Sequence, residues 1–170
     1  MRCLFCKQPS DASRSVEHII PESLGNTLHI LPCGVVCDTC NNYLARKVED
    51  PFLNSGAVRA IRASQGIPNK RRRLVSQPAI ALGRFPVTIY RPHNAIGIID
   101  VPSAEGVNAF LSVKEGILIL AAEHEPPSDH IVSRFLAKTA LEAMALSGLR
   151  AGFDLHELVD HPQLDLLTSI

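Results

Sequence analysis

The feature that most constrains this chain is a pair of Cys-x-x-Cys motifs near its N-terminus. The first motif ends at Cys6, the second begins at Cys37, and 30 residues separate them. In a chain without an export signal, such pairs predict a metal site rather than disulfides. Four thiolates form the tetrahedral shell that structural Zn²⁺ prefers. The sequence therefore predicts one structural zinc ion with four ligands: Cys3, Cys6, Cys37 and Cys40. The fifth cysteine, Cys33, is expected to lie outside the ligand set.

Composition and length indicate a folded protein with a short N-terminal module. The 170 residues are 46% hydrophobic, which is enough apolar material for a core. We expect three segments: a zinc module at 1–55, a helical and basic linker at 56–77, and an α+β C-terminal region at 78–170. The start of the chain has no apolar segment typical of a secretory signal, and no run of about 18 apolar residues follows. These features predict a cytoplasmic protein without a membrane span.

Charge is distributed unequally along the chain, although the formal net charge is zero. Residues 1–85 hold 12 Lys and Arg against 6 Asp and Glu, whereas residues 86–170 hold 5 against 11. The basic half includes the run Lys70-Arg71-Arg72-Arg73. Such asymmetry favours an anionic partner for the N-terminal half. The alternative is that the run is simply a solvated loop.

The pattern of apolar residues and turn residues predicts an α+β fold. Short strands are expected at 15–20 and 34–37, followed by a helix that ends at Asp50-Pro51. Residues 52–68 are predicted to be mainly helical, and strands follow from residue 78. A long amphipathic helix is expected over 129–148, with Ser128 or Asp129 as N-cap and Gly148 as its end. Its expected core stripe is Ile131, Phe135, Thr139 and Ala143, backed by Val132, Leu136 and Ala140. A shorter helix is expected over 155–159.

Between and beside the two cysteine motifs lie an acid–histidine pair and an early helical asparagine. Glu17-His18 is followed by Ile-Ile-Pro and then by Gly25-Asn26, and Asn41 comes directly after Cys40. This order resembles the HNH endonuclease family, in its zinc-knuckle form with the ββα-metal fold. The resemblance covers residues 1 to about 55. It implies metal-dependent hydrolysis of phosphodiester bonds, usually in DNA.

The resemblance also implies roles for individual residues. His18 matches the general base, Glu17 and Asn41 match ligands of a catalytic divalent ion, and Asn26 matches the asparagine that steadies the loop. Carboxylate and amide oxygens suit Mg²⁺ or Mn²⁺. One alternative is that Asn41 only caps or begins a helix. Another is that Asn42 is the ligand, if the register is displaced by one residue. The expected contacts to the nucleic-acid backbone are Arg14, Arg46, Lys47, Lys70, Arg71, Arg72 and Arg73.

Two other functions stay open at this point. A non-catalytic zinc ribbon that binds nucleic acid or protein would need the cysteines and the basic run, but not His18. The C-terminal region is also a candidate surface for a homodimer. RNA is not excluded as a substrate.

Overall fold

The computed structural model describes residues 1–120 and 125–164. The α-helices in these ranges are α1 (Asp38–Leu44), α2 (Asp50–Leu53), α3 (Gly56–Ser64), α4 (Ala104–Ser112), α5 (Asp129–Arg150) and α6 (Leu155–Val159). The β-strands are β1 (Glu17–His18), β2 (Ile30–Leu31), β3 (Ser76–Ala81), β4 (Phe85–Tyr90), β5 (Ile98–Asp100) and β6 (Leu118–Leu120). The mixture confirms the α+β class.

The chain folds as two compact units, and the first of them is discontinuous in sequence. Unit 1 comprises Met1–Asn54 together with Pro127–Ile170, and unit 2 comprises Ser55–Pro126. This division differs from the three segments expected from the sequence. Helix α5 belongs with the N-terminal residues because its side chains share their hydrophobic core. The basic run at 70–73 lies inside unit 2 rather than between modules.

Unit 1 begins with a short hairpin that carries the acid–histidine pair. Strand β1 pairs antiparallel with β2, with Glu17 opposite Leu31 and His18 opposite Ile30. The strand expected at 34–37 is wrong, because these residues form a turn in which Gly34 has a φ of 90°. Val35 is nevertheless fully buried, and its carbonyl accepts a hydrogen bond from the backbone N–H of Leu4. Val35 is therefore apolar because it packs in the core of unit 1, and not because it belongs to a strand.

The helix after the second cysteine motif continues past the proline expected to end it. A π-helical turn, Ala45–Glu49, connects α1 to α2, and Pro51 lies in the first turn of α2. Proline has no N–H to donate to the carbonyl four residues earlier, which here is Lys47. The guanidinium of Arg134 on α5 donates to that carbonyl at 3.3 Å. A distant side chain thus supplies a donor where the local sequence has none.

Helix α5 supplies much of the C-terminal part of the core of unit 1, and Leu155 and Val159 of α6 add to it. The Ser128 N-cap of α5 accepts a hydrogen bond from the backbone N–H of Ile131, as expected, but the helix runs to Arg150, two residues beyond Gly148. The expected core stripe is correct only at Phe135. The face buried in unit 1 carries Phe135, Lys138, Leu141, Glu142, Ala145 and Leu146. They pack with apolar residues near the cysteine motifs, including Leu4, Leu31, Val35 and Leu44.

Unit 2 contains a four-stranded antiparallel sheet in the order β5-β4-β3-β6. One face of β3 and β4 forms a small core from Ala79, Ala81, Val87 and Ile89, against which Val101 and Phe110 pack. The strands expected from residue 78 are present, and the part of the last one at 121–122 lies outside the described residues. Only strands are expected between residue 78 and the long helix, so helix α4 is a difference from the prediction. Ser103 caps this helix by accepting from the backbone N–H of Gly106.

Helices long and apolar enough to cross a membrane are absent from the described part of the chain.

Candidate functional site

The two Cys-x-x-Cys motifs come together in space as one group of four sulfur atoms. The Sγ atoms of Cys3, Cys6, Cys37 and Cys40 all lie within 4.8 Å of one another. The sulfurs of Cys6 and Cys37 are 3.7 Å apart. Tetrahedral zinc with Zn–S bonds of about 2.3 Å places its sulfurs about 3.8 Å apart. The group therefore has the donor set and the spacing that a structural zinc ion requires.

Backbone N–H groups around the sulfurs support this assignment. The N–H of Cys37 donates to the sulfur of Cys3 at 3.3 Å, and the N–H of Cys40 donates to the sulfur of Cys37 at 3.4 Å. Such outer contacts orient metal ligands and stabilise their negative charge. Burial raises the pKa of the Cys40 thiol, and the neighbouring sulfur of Cys3 raises it further. A cation bound by the sulfurs would oppose this shift at Cys40 and favour its thiolate.

The fifth cysteine lies outside the group. The thiol of Cys33 is exposed and approaches the carbonyl oxygen of Arg14 at 3.7 Å. This agrees with the expectation that Cys33 is not a ligand.

The first residue of α1 holds the segment that leads into β1. The carboxylate of Asp38 accepts hydrogen bonds from the backbone N–H of Arg14 at 3.1 Å and of Ser15 at 2.9 Å. The hydroxyl of Ser15, followed by its backbone N–H, lowers the pKa of Asp38 below its usual value. Because Asp38 follows Cys37 directly, the cysteine group and the start of β1 are fixed to the same helical turn.

Glu17 and His18 occupy β1, and the chain gives them different surroundings. The Glu17 carboxylate is almost fully buried, at 5% exposure. His18 is half-buried, and its Nδ1 atom is buried without a hydrogen-bond partner among the described residues. An unpaired buried polar atom costs about 1–3 kcal/mol. Such an atom needs a partner, which a bound water, an ion or a substrate group can supply.

A fully buried lysine from α5 contacts the acid of this pair. Nζ of Lys138 is 2.7 Å from Oε1 of Glu17, 2.9 Å from Oε1 of Glu49 and 2.8 Å from Oε2 of Glu142. It also donates to the backbone carbonyl of His18 at 3.2 Å. We call these four side chains the Lys138 cluster. The sequence pattern does not indicate this cluster, because charged residues four apart on a helix ordinarily lie on an exposed face.

The protonation of the Lys138 cluster follows from burial and mutual charge. Burial alone would lower the pKa of Lys138, but the surrounding carboxylates, led by Glu142, outweigh it and raise the pKa above its usual range. Burial raises the pKa of Glu142 well above its usual value, although Lys138 opposes this shift. The ammonium therefore stays charged, and the buried carboxyl of Glu142 holds its proton to a higher pH than an ordinary glutamate does.

Asn41 lies in α1 beside the segment that precedes β1. Its Nδ2 atom donates to the backbone carbonyl of Val16 at 3.1 Å, and its backbone N–H donates to the carbonyl of Cys37 at 2.9 Å. The contact with Val16 fixes the orientation of the side-chain amide one residue before Glu17. The structure thus brings Asn41 to the start of the acid–histidine pair.

Asn26 organises the loop between β1 and β2 through four hydrogen bonds. Its Nδ2 atom donates to the carbonyls of Ile20 at 2.7 Å and His29 at 3.0 Å. Its Oδ1 atom accepts from the backbone N–H groups of Leu28 and His29. This asparagine therefore ties together both ends of the loop.

The basic residues divide between the two units. Arg14, Arg46 and Lys47 are exposed in unit 1, whereas Lys70, Arg71, Arg72 and Arg73 are exposed in unit 2. The run in unit 2 forms a defined turn around Asn69, whose Oδ1 atom accepts from the backbone N–H groups of Arg71 and Arg73.

Comparison with known proteins identifies the N-terminal segment. Residues 3–56 match the family model described as HNH endonuclease, which confirms the resemblance for this segment. The matched segment is similar to this family and contains the four-cysteine group. None of the curated proteins and none of the solved structures matches the chain.

Proposed function

We propose that this protein is a metal-dependent HNH endonuclease that hydrolyses phosphodiester bonds in DNA. His18 is the general base, and Glu17 and Asn41 hold a catalytic Mg²⁺ or Mn²⁺ ion. The observation that carries the proposal is the position of this acid–histidine pair inside a segment that matches the nuclease family. A zinc ion in the four-cysteine group would be structural.

The donor atoms of the site suit a hard divalent cation. Glu17 contributes a carboxylate, and the amide of Asn41, held through Nδ2, contributes the oxygen Oδ1. Magnesium prefers such oxygen donors and retains water and substrate phosphate as its other ligands. The bound ion supplies charge neutralisation at the phosphate and at the leaving oxygen.

The work of the remaining residues follows from their positions. His18 takes a proton from the attacking water, for which a neutral imidazole is suited. Asn26 keeps the loop after β1 in one conformation and so limits the freedom of His18. The exposed cations Arg14, Arg46 and Lys47 contact the phosphate backbone without reading base sequence. The four cationic side chains at 70–73 also attract the phosphate backbone of the nucleic acid.

A non-catalytic zinc module is the second candidate. It is favoured by the Lys138 cluster, because Glu17 has a complete structural role there as a partner of a buried ammonium. A module that only binds DNA would retain this role and would have no need for the imidazole of His18.

Plasmid cleavage by the purified full-length protein tests the proposal. Wild-type protein should nick or linearise plasmid with Mg²⁺ or Mn²⁺, and EDTA should abolish cleavage. His18→Ala should remove cleavage while retaining zinc, because His18 is not a ligand of the cysteine group. His29→Ala is the matched control, since it removes an exposed histidine from the same hairpin and should leave cleavage intact.

Each outcome decides between the two candidates. Loss of cleavage in His18→Ala, with cleavage retained in His29→Ala, supports the nuclease function and His18 as its general base. Equal cleavage by wild type and His18→Ala contradicts the assigned base. DNA binding without cleavage by the wild type would favour the non-catalytic zinc module.

A further inference from the structure

One ammonium group contacts both residues of the acid–histidine pair. Nζ of Lys138 lies 2.7 Å from the Glu17 carboxylate and 3.2 Å from the backbone carbonyl of His18. Lys138 is on α5, far outside the segment 3–56 that matches the nuclease family. The pair is therefore held by a side chain from the other end of the chain.

Stability alone does not explain a charge in this position. The side chain of Lys138 is fully buried, and bringing an ammonium out of water costs several kcal/mol. Well-packed apolar residues in place of a buried ion pair are often equally stable or more stable. The ammonium instead fixes the positions of the atoms around it, through contacts with three carboxylates and one backbone carbonyl.

We propose that Lys138 is a positioning residue of the nuclease site, which orients the Glu17 carboxylate and the backbone of His18 through direct contact. This inference rests on the proposed function. By holding Oε1 of Glu17, the ammonium sets the direction in which the other carboxylate oxygen points. By contacting the carbonyl of His18, it also fixes β1 at the residue that carries the base.

A cation beside a metal ligand would ordinarily weaken metal binding by repulsion. Here Glu49 and Glu142 lie within 2.9 Å of the same ammonium, so three carboxylates surround one positive charge. Even with one of the three protonated, the cluster stays anionic. Lys138 can thus orient Glu17 without making the site repellent to a divalent ion.

The test compares Lys138→Met with Glu49→Gln in the full-length, zinc-loaded protein. Both variants disturb the same buried cluster, but only Lys138→Met removes the contacts with Glu17 and His18. The main readout is Mn²⁺ affinity, which is measured from the signal of free Mn²⁺ in electron paramagnetic resonance. Zinc content and melting temperature are measured beside it, and cleavage is assayed over a range of Mn²⁺ concentrations.

Loss of an outer contact to a metal ligand typically weakens metal affinity about 10–100-fold. We expect a loss of this size in Lys138→Met with zinc retained. Glu49→Gln removes one negative charge but keeps the contacts of Nζ with Glu17 and His18, so it should weaken Mn²⁺ binding less than Lys138→Met does. Lys138→Arg keeps the charge, and it should restore part of the affinity lost in Lys138→Met. If Lys138→Met fails to retain zinc, Lys138→Arg serves as the test, with weaker Mn²⁺ binding expected because its planar donors cannot reproduce the contacts of Nζ.

Several outcomes would overturn the inference. Wild-type Mn²⁺ affinity in folded Lys138→Met, or in Lys138→Arg where it is the test, would contradict positioning by Lys138 while leaving the proposed nuclease intact. Equal losses in Lys138→Met and Glu49→Gln would reduce the lysine to a general structural role. A wild-type protein that neither binds Mn²⁺ nor cleaves DNA would remove the proposed function and this inference together.

Discussion

Phe52 and Phe135 stack face to face, with ring centroids 4.0 Å apart and ring planes inclined by 6°. Phe52 belongs to α2 and Phe135 to α5, so the contact joins the two chain segments of unit 1. Phe135 is buried in the same core as residues of the first cysteine motif. The segment that matches the HNH family model therefore shares part of its core with the C-terminal helix.

This stacking predicts a large stability loss when the ring on α5 is removed. Phe135→Ala should lower the free energy of unfolding by about 3–5 kcal/mol, because it deletes a buried aromatic ring and leaves a cavity. Urea unfolding followed by circular dichroism would measure the change. Leu136→Ala is the matched control, since Leu136 is the next residue of α5 and is 58% exposed. A loss of similar size in both variants would contradict the assigned core face.

The cysteine group predicts opposite behaviour for two cysteines that are close in sequence. Cys40→Ser should lose bound zinc and unfold unit 1 partly, because structural zinc contributes about 10–16 kcal/mol of apparent binding free energy in small zinc modules. Cys33→Ser should keep its zinc, since Cys33 lies outside the group. Elemental analysis of the purified variants and their melting curves would check both. Zinc loss in Cys33→Ser with zinc retained in Cys40→Ser would contradict the ligand set.

The buried carboxyl of Glu142 predicts a dependence of stability on pH. Its pKa is raised in the folded state above the usual value of about 4.5, so the folded protein holds a proton that the unfolded chain releases. The contribution of Glu142 to the free energy of unfolding is therefore complete below about pH 4.5, and it declines as the pH rises towards the pKa of the folded state. Glu142→Gln cannot ionise and should escape this decline.

Urea unfolding of wild type and Glu142→Gln between about pH 5 and 8 would check the sign. The stability of the variant relative to the wild type should increase as pH rises through this window. A relative stability that stays constant, or that decreases with pH, would contradict the raised pKa of Glu142.

The parts of the fold that could be predicted are those set by neighbours in sequence. The spacing of Cys3 and Cys6, and of Cys37 and Cys40, made the metal group predictable, because each motif places two ligands on one turn. Ser128 as N-cap was predictable for the same reason, since its acceptor and the N–H it bonds are three residues apart.

The parts that could not be predicted depend on partners far away in the chain. Pro51 was expected to end a helix, and the helix continues with Arg134 bonding the carbonyl of Lys47. Lys138 and Glu142 resemble an exposed pair on a helix, and only the fold brings Glu17 and Glu49 to them. The roles of Glu17, His18, Asn26 and Asn41 stay predictions from the family resemblance.

The discontinuous construction of unit 1 has a consequence for how the protein is made. A ribosome adds about 5–20 residues per second, so residues 41–137 take roughly 5–19 s to synthesise after Cys40 has been made. During that interval the nascent chain has all four cysteines and the acid–histidine pair, but not the lysine that contacts the pair. Order of synthesis thus separates metal loading from completion of the core, and the nascent N-terminal segment remains unfinished until its own C-terminal helix arrives.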